Sequence, residues 1–268
     1  MTERATLLTC HGKAAVIAPA LAAIGWQVTV YDGFDTDSLG TFSRDIPRHG
    51  SQRDAALYKA QLACQLGGSR YGLGSEGSAG ADPWLGSLLW GRELIVCWDA
   101  ERGYAIEAWA DGPAPWYRRW TLADAAALAP ALQQAGHPAT GVMLQLPGDA
   151  GWLKDADAAT LQQALDAANL ASPALLETDL RAHRNPGRMA LIGRCAEALA
   201  SRLASHCPQC HAPGWHAARP LAGAACADCG APTTQPRAWQ WACPCCGHFH
   251  EEPCTEPASP AQCNLCNP

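Results

Sequence analysis

The chain has 268 residues, of which 48% are hydrophobic and 16% charged, and its formal net charge is -6. That suits one substantial domain plus a small module and excludes a disordered chain. The acidic balance disfavours a general attraction to nucleic acid or anionic lipid, and no stretch nears the ~20 apolar residues of a membrane span. The opening MTERATLLTC has no long apolar core, so a secretory leader is not expected and a cytoplasmic location is.

In chain order, residues 5–10 read as a strand, residues 13–24 as a helix ended by Gly25, and residues 27–31 as a second strand. This opening predicts an α/β domain. Residues 32–50 form a polar loop rich in Asp, Gly and Ser. Ser51 then caps a helix to residue 66, with Asp54 in the capping-box position and Gly67-Gly68 as the stop. Residues 71–75 predict a short strand running into a loop at 76–83. Residues 93–98 and 104–109 predict a hairpin, and 121–135 a helix capped by Thr121 and kinked at Pro130. A strand at 141–146, a helix at 155–168, a strand at 174–178 and an amphipathic helix at 187–205 complete the α/β body.

Ten of the fourteen cysteines lie in the last 62 residues. Eight form Cys-x-x-Cys pairs: Cys207/Cys210, Cys226/Cys229, Cys243/Cys246 and Cys263/Cys266. Fifteen residues separate the first two pairs and sixteen the last two, which predicts two consecutive zinc ribbons, each with four thiolates on one structural Zn²⁺. The fold expected is therefore a mixed-sheet α/β domain over 1–206, a first ribbon over 207–231 and a second over 232–268. Cys245 and Cys254 are left over, and His248 and His250 are alternative ligands. Trp239, Trp241 and Phe249 suit either a stacking platform or the small core a ribbon needs. The ribbon segment carries Arg219 and Arg237 against Asp228, Glu251, Glu252 and Glu256. That favours a protein partner over nucleic acid.

A second constellation lies in the first third. Lys13 sits at a strand-to-helix turn with Thr9, His11 and Gly12, where helix N-terminal amides collect anions. Glu76 lies between Ser75 and Ser78, and Asp35 and Asp37 lie in the acidic loop; these acids could hold Mg²⁺, and Glu76 could activate water. Arg181, His183, Arg184 and Arg188 form a basic patch in an acidic chain. Each has a structural alternative: a solvated helix lysine at Lys13 or Lys59, a helix cap at His11, turn residues at Asp35 and Asp37, and ion-pair partners for surface acids in the basic patch.

The chain resembles a bacterial domain-of-unknown-function family through Thr9-x-His11-Gly12-Lys13, the loop GFDTDSLGTF, Ser75-Glu76-Gly77-Ser78, ETDLRA with NPGRM, and the terminal cysteine sets. Its first third also resembles the house-cleaning inosine/xanthosine triphosphate pyrophosphatases. In that resemblance Thr9 and Lys13 match the phosphate-binding turn, Lys59 a helix lysine, Glu76 the metal-binding and water-activating acid, and His183-Arg184 a base-recognition element. His11 stands where that family has Asn. The resemblance implies an ITPase-like fold and Mg²⁺-dependent hydrolysis of a nucleotide, with Glu76, Lys13 and Lys59 as catalytic residues. The alternative is a non-enzymatic module that binds a nucleotide, a nucleic acid or a protein.

Overall fold

The computed structural model describes residues 2–9, 11–34, 50–149, 151–168 and 170–268. Two compact units result: Met1–Ala100 with Glu107–Leu199, and Glu101–Ile106 with Ala200–Pro268. The second unit thus starts earlier than the first cysteine pair and takes in a short segment from mid-chain.

In the first unit, strand β1 (Arg4–Leu8) leads through helix α1 (Ala14–Ala22) to β2 (Gln27–Tyr31), and helix α2 (Gln52–Gly67) leads to β3 (Tyr71–Ala81). Strands β4 (Leu89–Asp99) and β5 (Tyr104–Pro113) follow, and the sheet order is β2-β1-β3-β4-β5. β1 pairs in parallel with both β2 and β3, while β3 and β4 are antiparallel. The chain therefore leaves β1 toward one side of the sheet and returns on the other. In α/β sheets such a reversal leaves a crevice at the carboxyl ends of the strands.

α2 begins at the capping box expected from sequence, with the Ser51 amide donating to Asp54 at 3.0 Å and the Asp54 amide to Ser51 at 3.2 Å. Its Ala56, Ala60 and Ala63 are fully buried against the sheet. The close approach requires glycine below: a Cβ on Gly72 or Gly74 would run into the backbone oxygens of Ala60 and Ala56. On the opposite sheet face, Gly91 lies against Leu191 and Gly193 against Val16.

β3 is longer than the short strand expected from sequence. Gly, Ser and Ala after residue 75 resemble a loop, yet β4 pairs with β3 from Tyr71 to Ala81. β1 pairs with β3 only as far as Leu73, so β3 continues beyond the end of its parallel neighbour.

A three-stranded sheet of β6 (Arg119–Leu122), β7 (Val142–Gln145) and β8 (Ala174–Thr178), ordered β6-β8-β7, completes this unit with helices α3 (Leu128–Ala135) and α4 (Ala158–Ala167). Leu122, Leu128, Leu144, Leu161, Leu165 and Leu176 form its core. Thr121 lies in β6 and does not cap a helix. Asp124 caps a short 3-10 turn before α3, and Pro130 falls in the first turn of α3, where its missing N–H costs nothing. Helix α5 (Pro186–Ala204) follows. No described helix is long and apolar enough to cross a membrane.

The second unit carries a sheet ordered β11-β10-β9, from β9 (His216–Ala222), β10 (Pro236–Ala242) and β11 (Phe249–Pro253). Its mid-chain segment is held by the Tyr104 hydroxyl, which donates to the Pro213 carbonyl at 3.1 Å.

Candidate functional site

Two sites emerge, one in each unit. In the second unit the eight paired cysteines gather as two tetrads, Cys207/Cys210/Cys243/Cys246 and Cys226/Cys229/Cys263/Cys266. This corrects the consecutive ribbons over 207–231 and 232–268: the first pair joins the third and the second joins the fourth. Spacing along the chain is the same for either pairing, and only β9 and β10, which turn the intervening segments back, decide between them.

The donor sets fit zinc. A tetrahedron with Zn–S of ~2.3 Å has S–S edges of ~3.8 Å. Observed Sγ–Sγ separations are 3.9 Å for Cys207–Cys246 and 3.6 Å for Cys210–Cys243. In the other tetrad they are 3.8 Å for Cys226–Cys266 and 3.6 Å for Cys229–Cys263.

Each pair sits on the same kind of knuckle. The residue after its second cysteine donates its amide to the first cysteine's carbonyl: His211 to Cys207 at 3.0 Å, Gly230 to Cys226 at 3.0 Å, Gly247 to Cys243 at 3.0 Å and Asn267 to Cys263 at 2.8 Å. His211, Gly230 and Gly247 have positive φ, the conformation that favours glycine there. The Cys266 and Leu265 amides pull the Cys263 thiol down to about 7, while the neighbouring Cys229 and Cys226 thiols push Cys266 up to about 12. Cys245 remains outside both tetrads, as does Cys254; His248 stacks on Trp215 and does not join either.

The first unit holds a buried ionic cluster beyond the carboxyl end of β1. Lys13 caps the start of α1 and is 7% exposed; its Nζ donates to the Ser75 hydroxyl at 3.0 Å and the Ser75 carbonyl at 3.3 Å. Lys59, on α2, pairs with Glu76. Arg188, on α5, pairs through Nε with Glu93 on β4 at 2.7 Å and donates also to the Leu180 carbonyl. Arg188 is 2% exposed and Glu93 1%.

Strand alternation explains the layout. Glu76 shares a face with Gly74 and points to α2, whereas Ser75 and Gly77 point the other way. A side chain at Gly77 would collide with the Glu93 carboxylate. Among the described residues β1 pairs with β3 only to Leu73, and Lys13 beyond it interacts with both Glu76 and Glu93. Burial and the Arg188 charge bring Lys13 down to about 8, while Glu93 and Glu76 oppose the shift. Among the described residues, three cations against two carboxylates leave the cluster one charge positive. Glu93 Oε2 is buried without a hydrogen-bond partner.

The sequence-predicted residues divide accordingly. Lys13, Lys59, Ser75, Glu76 and Arg188 come together. Ser78 lies on β3, and its hydroxyl donates to Gln52 at 2.9 Å; Gln52 in turn donates to the Glu76 carbonyl at 2.9 Å. Thr9 is buried just past β1. His11 stacks on His183 with ring centroids 5.2 Å apart, and Gly12 turns at positive φ beside His183. Burial, with His11 and Arg181 nearby, lowers the His183 pKa. Arg181 is committed elsewhere, to Asp179 at 2.6 Å and Asp155 at 2.8 Å. Asp35 and Asp37 lie outside the described residues.

Sequence reading missed Glu93, although an acid inside the apolar run of β4 is the signal that could have found it. It also missed Asn185, which caps α5: its side chain accepts from the Arg188 amide at 3.0 Å and donates to the Asp179 carbonyl at 3.2 Å. NPGRM then reads as a built unit. Asn185 caps, Pro186 starts the helix, Gly187 leaves room for the Trp116 ring, and Arg188 enters the cluster.

The family description "Domain of unknown function (DUF6671)" matches residues 59–268. The chain belongs to the DUF6671 family. The match takes in Lys59, Glu76, Glu93, Arg188 and all eight tetrad cysteines, so both sites draw on the DUF6671 region. No curated protein and no solved structure matches the chain, and a likeness to the inosine/xanthosine triphosphatases therefore rests on the motifs alone.

Proposed function

We propose that the first unit binds the phosphates of a nucleotide or related phosphoanhydride at the Lys13 cluster and hydrolyses it. What carries this reading is the convergence of Lys13, Lys59 and Arg188 with Glu76 and Glu93 beyond the carboxyl end of β1. Buried cations with excess positive charge suit a multiply charged anion. A phosphate reaching Lys59 competes with Glu76 for the ammonium and frees that carboxylate. Glu76 then takes a proton from water as the water oxygen bonds to phosphorus and the bridging P–O bond breaks. Lys13 and Arg188 hold the phosphoryl oxygens as charge builds on them.

Of the acids expected to hold Mg²⁺, Glu76 is the one described. Among the described residues no group of three or more potential ligands forms around it. The second unit holds two structural zinc ions in this reading, with no open position for a substrate.

The test is phosphate and pyrophosphate release from nucleoside triphosphates and other phosphorylated metabolites, with Mg²⁺, Mn²⁺ or chelator. Wild type is compared with Glu76→Gln and Lys13→Met. Release that Glu76→Gln abolishes, with the ligand still bound, is expected. Binding without turnover would favour a non-enzymatic nucleotide-binding module, a reading supported by the ion pairing of both carboxylates. Neither binding nor release would overturn the proposal.

A further inference from the structure

The second unit presents an aromatic face that the phosphate site does not use. On β10, Trp239 and Trp241 point to one side of the sheet because alternate residues share a face. Trp239 lies opposite Glu252 of β11 and Pro220 of β9, and Trp241 opposite His250 and Ala217. The Trp241 indole N–H donates to Glu252 at 2.7 Å. Its ring stacks on Trp215 with centroids 6.2 Å apart, and Trp215 stacks in turn on His248 at 5.4 Å. These contacts fix the platform, and Trp239 remains 40% exposed beside it. The reverse face is different: there Arg219 donates to Gln240 at 2.7 Å.

Charge selects the occupant. Residues 207–268 carry two arginines against four acids, and the rest of the second unit adds Arg102 and Arg202 against Glu101. Four thiolates around one divalent zinc leave two further net negative charges per filled site. Arg237 is engaged with Glu251 at 3.7 Å. Phosphate backbones would be repelled from such a module, whereas lysine and arginine side chains gain from both the indole faces and the carboxylates.

We propose that this face docks a lysine- or arginine-rich segment of a partner protein, with a cation over the Trp239 indole and a second held by Glu252. The test uses the zinc-loaded full chain and fluorescence anisotropy of a labelled Lys/Arg decapeptide, a Glu decapeptide and a single-stranded oligonucleotide. The cationic peptide alone is expected to bind, more weakly as salt rises. Trp239→Ala and Glu252→Gln should each weaken it roughly tenfold with zinc content unchanged, and Trp239→Phe should restore most of the loss. Absence of peptide binding, equal binding by the variants, or tighter binding of the oligonucleotide would overturn the proposal.

Discussion

The two units bury themselves by opposite means. The first has a conventional apolar interior of Leu7, Leu8, Ile17, Leu21, Leu73 and Ile95, into which it admits charged groups, among them Lys13, Lys59, Glu76, Glu93 and Arg188. The second buries mainly alanines and cysteines, among them Ala212, Ala224, Ala238, Cys207, Cys226, Cys243 and Cys263. So small a core gains little from water exclusion. One unit can therefore tolerate strained polarity because its core is large. The other has two cysteine tetrads that could hold zinc, and a structural zinc contributes about 10–16 kcal/mol of apparent binding free energy that is also folding free energy.

The largest effect that separates the units should come from the cysteines. Cys207→Ser is expected to release the zinc of the first tetrad, exposing Cys210, Cys243 and Cys246 to alkylation. Cys226, Cys229, Cys263 and Cys266 should stay protected at saturating zinc. Mass spectrometry of the alkylated protein reads this directly. If Cys226 and Cys229 became reactive in place of Cys243 and Cys246, the interleaved pairing would be wrong.

A smaller effect should fall on the first unit alone. Glu93→Ala leaves Arg188 buried beside a missing partner, and should cost about 3–5 kcal/mol. Thermal unfolding followed with zinc release is expected to show the loss in the transition that does not release metal. A shift in the metal-releasing transition would contradict the separation drawn here.

The third effect is a matter of pH. Burial lowers the Lys13 pKa to about 8 from the ordinary lysine value of 10.5. Between those values the unfolded chain holds a proton that the native chain lacks, so the first unit should gain stability as pH rises through that window. Below about 8 the burial costs a constant ~3 kcal/mol. Lys13→Met should flatten the slope of stability against pH, as seen by chemical denaturation. Inorganic phosphate, bound through the charged ammonium, should dissociate as pH rises past about 8. An unchanged slope in the variant would remove Lys13 as its source.

Much of this was legible in the sequence, and the failures have physical causes. The capping box at Ser51 and the first β-α-β turn depend on neighbours a few residues apart, so local reading suffices. The cysteine ligands were identifiable from knuckle spacing, yet their partition was not, because it depends on how β9 and β10 fold back. Glu76 was placed in a loop because its glycines look like turn residues. They are there to admit α2 and the Glu93 carboxylate, which is information held by residues far along the chain. Glu93 itself went unnoticed because a carboxylate is read as a surface group until its cation, 95 positions away, is in place.

The crossing of the two tetrads has a mechanical consequence. A single proteolytic cut within residues 231–235 falls between the second and third cysteine pairs. In consecutive ribbons it would let the halves drift apart. Here each tetrad takes one pair from either side of the nick, so zinc filling both tetrads would keep the fragments fastened until a chelator undid them.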